Sequence, residues 1–173
     1  MTSDKKRSIR ADEVTTIQLI RLKSLSLFAF LKFNSIPLTR KNIYYIVDDD
    51  TDDQQFLIEA LTENDINVQC FTAPNGKEAI NNLKKAVIPL PDAIFLDLNM
   101  PQLNGKQCLA ELKRTASLQH IPVIIYSTTS NKKEMQDTLQ MGASYFIVKK
   151  SSFKDLRKEL SLITSKLNNP DIY

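Results

Sequence analysis

The chain has 173 residues, 42% of them hydrophobic and 25% charged, enough for one domain with a modest appendage and too apolar for disorder throughout. Its three glycines, Gly76, Gly105 and Gly142, leave no glycine-rich phosphate loop, and two cysteines with one histidine exclude a disulfide scaffold and disfavour a zinc site. The net charge of +3 is unevenly spread: residues 1–42 hold nine basic and three acidic residues, a net +6, and the other 14 basic and 17 acidic residues leave the body at −3. A mildly acidic body disfavours nucleic acid as a partner. No apolar stretch approaches the roughly 18 residues of a membrane span. A cytoplasmic protein from a reducing compartment is expected.

Residues 1–41 read as a basic and apolar N-terminal extension. Met1 to Glu13 is polar, and Thr16 to Phe33 is apolar with interspersed Lys and Arg. Three readings stay open for it: a helix docked on the body or on a partner, a weakly ordered leader, or a membrane-surface segment.

From Asn42 the pattern becomes regular. Ile43–Val47 is a continuous apolar run, the mark of a strand buried on both faces. A helix is predicted over Asp52–Asn64, a second strand over Val68–Phe71 and a helix over Asn75–Val87. The third strand is Ala93–Leu96, followed by a helix over Gly105–Thr115. Val123–Tyr126 is the fourth strand, Asn131–Gln140 a short helix capped near Gly142, and Tyr145–Val148 the fifth strand. Ser152–Leu167 closes the set, and 169–173 is a tail. Five strands alternating with five helices imply an α/β fold, a doubly wound parallel sheet covered on both faces. The expected domain runs over 42–168.

In such sheets ligands bind beyond the carboxyl ends of the strands. Asp48 and Asp49 follow the first strand, Asp97 the third, Ser127 and Thr128 the fourth, and Lys149 and Lys150 the fifth. Carboxylates converging from adjacent strands repel one another and call for a cation, and magnesium suits oxygen ligands. A carboxylate can also attack phosphorus, and the new phosphoryl oxygens are then met by metal, ammonium and hydroxyl. Asp50, Asp52 and Asp53 read as caps and solvated charges at a helix start. Cys70 and Cys108 read as inert thiols, and His120 as a loop residue.

Four segments carry a family resemblance: Ile-Val-Asp-Asp-Asp (46–50), Phe-Leu-Asp-Leu-Asn-Met-Pro (95–101), Tyr-Ser-Thr (126–128) and Phe-Ile-Val-Lys (146–149). In this order they resemble the signatures of the two-component response-regulator receiver domain, over about residues 42–167. The resemblance implies a flavodoxin-like sheet of strand order 2-1-3-4-5, as in stand-alone chemotaxis receivers. It makes Asp97 the phosphoacceptor. Asp48 and Asp49 become the acidic pair for Mg2+, and the Asn99 backbone carbonyl completes the metal shell. Ser127 becomes the switch hydroxyl, Lys149 the lysine that pairs with the phosphoryl group, and Phe146 the aromatic switch. Met100, Pro101 and Gly105 match the turn after the acceptor. Two positions depart from the pattern. Lys150 stands where proline is usual, so a trans or rearranged peptide bond is expected there. Thr128 stands where alanine or glycine is usual, and narrows access to the acceptor.

The implied function is a phosphorylation-controlled module rather than an enzyme. It takes its phosphoryl group from a sensor histidine kinase or phosphotransfer protein and acts by protein contact. The face of the fourth helix, fifth strand and fifth helix is the expected output surface, including for a second copy of the chain. A pseudo-receiver that binds partners without phosphorylation is the alternative. An aspartyl-phosphate hydrolase is the remoter one, because Asn99 stands where its second aspartate belongs.

Overall fold

The computed structural model describes residues 41–168. The readings for the N-terminal extension and the tail lie outside these residues, apart from Lys41. The described chain alternates strand and helix throughout: β1 (Ile43–Val47), α1 (Thr51–Asn64), β2 (Gln69–Ala73), α2 (Gly76–Lys84), β3 (Ala93–Leu96), α3 (Gly105–Arg114), β4 (Val123–Ser127), α4 (Lys132–Gln140), β5 (Tyr145–Val148) and α5 (Phe153–Asn168). The five strands form one parallel sheet in the order β2-β1-β3-β4-β5. The expected flavodoxin-like arrangement is present.

Period-two alternation divides the strand side chains between two cores. Tyr44, Ile46, Phe95, Ile124, Tyr126 and Ile147 face α1 and α5, where they meet Leu57, Leu61, Leu156 and Leu160. Tyr45, Val47, Ile94, Leu96, Val123 and Ile125 face the other layer, packing on Ile80, Leu83, Leu109 and Leu112. Each fully buried side chain of this size contributes about 1.5–3 kcal/mol. Burial on both faces explains the continuous apolar runs. Tyr44 and Phe95 meet edge to face with ring centroids 5.7 Å apart.

Several boundaries differ from the sequence reading. β2 starts one residue later than expected and runs on to Ala73, because each residue from Gln69 to Ala73 pairs with β1. β4 includes Ser127, which pairs with Val148. α2 stops at Lys84, not Val87. Its last turn closes through Ala86 N–H to the Leu83 carbonyl and Val87 N–H to the Asn82 carbonyl. This places Ala86 in the left-handed region at φ 51°, so the chain leaves the helix three residues early. α4 ends with the same pair of bonds, Gly142 N–H to Leu139 and Ala143 N–H to Thr138, and Gly142 sits at φ 101°. Here the expected cap is in place.

Candidate functional site

The register of the sheet assembles the site. Val47 of β1 pairs with Leu96 of β3, so the next residues, Asp48 and Asp97, emerge side by side at the carboxyl edge. Both are pinned through their backbones: Asp97 N–H donates to the Val47 carbonyl at 2.9 Å and Asp48 N–H to the Ala73 carbonyl at 3.1 Å. Ser127 ends β4, and the Lys149 N–H donates to its carbonyl at 2.8 Å. The four strand ends therefore deliver Asp48, Asp97, Ser127 and Lys149 to one place. Asp48, Asp97 and Ser127 are buried there.

The acidic loop is built by its own hydrogen bonds. Asp50 caps α1, its carboxylate accepting from the N–H groups of Asp52 at 2.8 Å and Asp53 at 3.3 Å. Asp48 Oδ1 accepts from the Asp50 N–H at 3.0 Å, and the Gln54 amide donates to the Asp48 carbonyl at 2.6 Å. Burial pushes the Asp48 carboxyl above its ordinary range, opposed by the hydrogen bonds from Lys149 and the Asp50 N–H.

Asp97 is held more asymmetrically. Its Oδ2 accepts from the Asn99 N–H at 2.8 Å. Its Oδ1 is buried with no hydrogen-bond partner. α3 begins immediately against it, with Asn104 and Gln107 forming a reciprocal cap. Gly105 permits that approach: a Cβ there would lie 2.1 Å from the Asp97 carbonyl oxygen.

Lys149 reaches across the sheet. Its ammonium stands 2.7 Å from Asp48 Oδ2, 2.7 Å from Asp53 Oδ2 and 3.6 Å from Asp97 Oδ1. Nζ also lies 5.4 Å from the centre of the Tyr126 ring. Burial alone would lower its pKa, but the bonds to Asp48 and Asp53 and the charge of Asp97 hold it above the ordinary lysine value. Tyr126 is pushed up to about 12 by its burial and by nearby Asp53. Lys150 points elsewhere and pairs with Glu159 at 2.5 Å. No peptide bond is cis among the described residues, so Lys149–Lys150 is trans, as the missing proline leads one to expect.

One oxygen from each of Asp48, Asp49 and Asp97 lies within 4.8 Å of the others. Three hard carboxylate donors, one of them with a buried oxygen lacking any hydrogen bond, fit a hard divalent cation. Asn99 sits beside this group, and its amide lies 3.5 Å from both Ser127 Oγ and Thr128 Oγ1. Phe146, half-buried on the edge strand β5, packs against the core cluster that also holds Leu109, Leu112 and Ile125. Cys70 and Cys108 are pushed up by burial to about 11 and about 12, which makes them poor nucleophiles. His120 is exposed in the turn after α3.

The sequence reading missed two contributors. Asp53 was expected to be a solvated charge, yet it holds Lys149. Gln54 was given no role, yet it ties α1 to the Asp48 backbone. The available signal was their place in the first helical turn after an acidic strand end.

The pattern that defines the response regulator receiver domain matches residues 45–161, and the chain belongs to that family. It is 28% identical over 127 residues to response regulator Rcp1 of Synechocystis sp., which spans 71% of this chain and 86% of that protein. The crystal structure of the phosphorylated cyanobacterial phytochrome response regulator RcpA superposes with a TM-score of 0.68 at 27% identity, covering 75% of this chain and 95% of that one. The Mn(2+)-bound form of Rcp1 gives a TM-score of 0.64 at 27% identity, covering 72% and 92%. Among the described residues no helix is long and apolar enough to cross a membrane.

Proposed function

We propose that this protein takes a phosphoryl group from a phosphohistidine on a sensor kinase or phosphotransfer protein onto Asp97. A carboxylate oxygen of Asp97 attacks phosphorus, the P–N bond breaks, and its electron pair leaves with the imidazole nitrogen, which takes up a proton. The observation that carries this reading is the buried Asp97, its Oδ1 without a hydrogen bond and its neighbour an ammonium 3.6 Å away. Asp48, Asp49 and Asp97, with the Asn99 backbone carbonyl, are the ligands for Mg2+. Bound there, the ion offsets charge on the phosphoryl oxygens. Lys149 supplies a second positive charge, and Ser127 a hydroxyl for one phosphoryl oxygen. The Asn99 N–H keeps the Asp97 carboxylate oriented. The Mn(2+)-bound and phosphorylated relatives support the same chemistry in this fold.

The output follows from the same residues. A Ser127 hydroxyl drawn toward the phosphoryl group vacates space that the Phe146 ring can fill, and two packings of one region make a switch. The face of α4, β5 and α5 is then the surface that meets a partner or a second copy.

Intact-mass measurement after incubation with acetyl phosphate and magnesium is expected to show one added phosphoryl group. Asp97→Asn is expected to remove it, and chelation to prevent it. Undiminished labelling of Asp97→Asn would overturn the assignment.

A further inference from the structure

Lys149 is shared by more carboxylates than phosphoryl chemistry requires. Two of its contacts, each 2.7 Å, go to Asp48 and Asp53, and the acceptor is left at 3.6 Å. On the reading above, Asp48 is committed to the metal. Asp53 stands outside the three converging carboxylates. It is also fixed in place: its N–H is held by the Asp50 cap, in the first turn of α1. Its carboxylate is about a third exposed, whereas the Lys149 side chain is almost buried. Thus a tethered, partly solvated anion grips a buried cation next to the acceptor.

We propose that Asp53 is a positioning residue that holds Lys149 off the acceptor in the unphosphorylated protein and yields it when the phosphoryl group arrives. This rests on Asp97 being the acceptor. A phosphoryl group carries more negative charge than one carboxylate and more acceptor oxygens. A partly exposed ion pair is weak by comparison. The ammonium therefore moves to the phosphoryl group, and Asp53 is left to solvent, which it already meets. While it holds, Asp53 withholds positive charge from Asp97, slows labelling and weights the protein toward its unphosphorylated form.

The test compares initial rates of magnesium-dependent labelling by acetyl phosphate in the full chain. Asp53→Asn is expected to label faster by roughly twofold to fivefold, the scale of a partly exposed ion pair. Asp52→Asn makes the same charge change one residue away, at an exposed position, and is expected to match the wild type. Asp53→Glu keeps the charge and is expected to return toward the wild-type rate. In a Lys149→Ala background the gain from Asp53→Asn is expected to vanish. A gain that persists without Lys149, or that Asp52→Asn reproduces, or no gain at all, overturns the proposal. Side-chain 15N NMR of the lysine ammonium groups reads the contact without phosphorylation. Lys149 is expected to lose protection from water exchange in Asp53→Asn and to keep it in Asp52→Asn. Absence of any label on the wild type sinks the acceptor assignment. The NMR result then still decides whether Asp53 holds Lys149, and an unchanged Lys149 resonance overturns the hold.

Discussion

The two halves of the carboxyl edge are built differently. On the β1–β3 side, Asp48 and Asp97 are each tied through one carboxylate oxygen to a backbone N–H. Asp48 accepts from the Asp50 N–H, Asp97 accepts from the Asn99 N–H, and α1 is anchored by buried Leu57, Ala60 and Leu61. On the β4–β5 side, Ser127 and Thr128 are reached by the Asn99 amide only at 3.5 Å, Phe146 is half-buried, and α4 has one buried residue, Thr138. The first half is the more tightly tied; the second is looser at Phe146 and α4, although Ser127 itself is fully buried. The switch proposed above would need such a contrast: fixed groups at the carboxylates, and a neighbouring region with two arrangements close in energy.

The largest expected effect breaks the first half. Gly105→Ala forces a methyl group toward the Asp97 carbonyl, where the clash is with backbone and no rotamer relieves it. A loss of about 3 kcal/mol or more is expected in denaturant unfolding. An unchanged midpoint would show that α3 retreats freely from Asp97.

A pair of truncations sharpens the comparison. Leu57→Ala in α1 removes a fully buried side chain and is expected to cost about 2–5 kcal/mol. Leu139→Ala in α4 removes one that is 44% exposed and is expected to stay within about 0.5 kcal/mol. Similar losses at the two positions would deny that α4 is the looser helix.

A gain rather than a loss is expected at one of two matching helix ends. α4, in the looser half, ends on Gly142 in the left-handed region, and α2, in the tighter half, ends on Ala86 in the same region. An alanine there costs about 1–2 kcal/mol of backbone energy, part of which glycine's greater chain entropy offsets. Ala86→Gly is therefore expected to stabilise by about 0.5–1 kcal/mol, measured as a raised unfolding midpoint with an unchanged slope. Destabilisation would mean that the Ala86 side chain contributes more than its backbone loses.

Much of this protein was legible in the sequence. The apolar runs at 43–47, 93–96 and 123–126, each followed by a polar residue, marked strands buried on both faces and named the residues at their ends. That worked because burial on both faces and position at a strand end are both written in local order. The end of α2 was not legible, because nothing in Lys84–Val87 announces a left-handed alanine; hydrogen bonds back to Asn82 and Leu83 decide it. Nor did the sequence separate Asp53 from its acidic neighbours. Five acids in six residues look alike in a string. Helix phase and the Asp50 cap aim one of them at Lys149, 96 residues further on. The sequence alone determined which strands form and which acids stand at their ends. The tertiary structure alone decided which of the neighbouring carboxylates shares the lysine, because that depends on the distance between α1 and β5, which the local sequence does not encode.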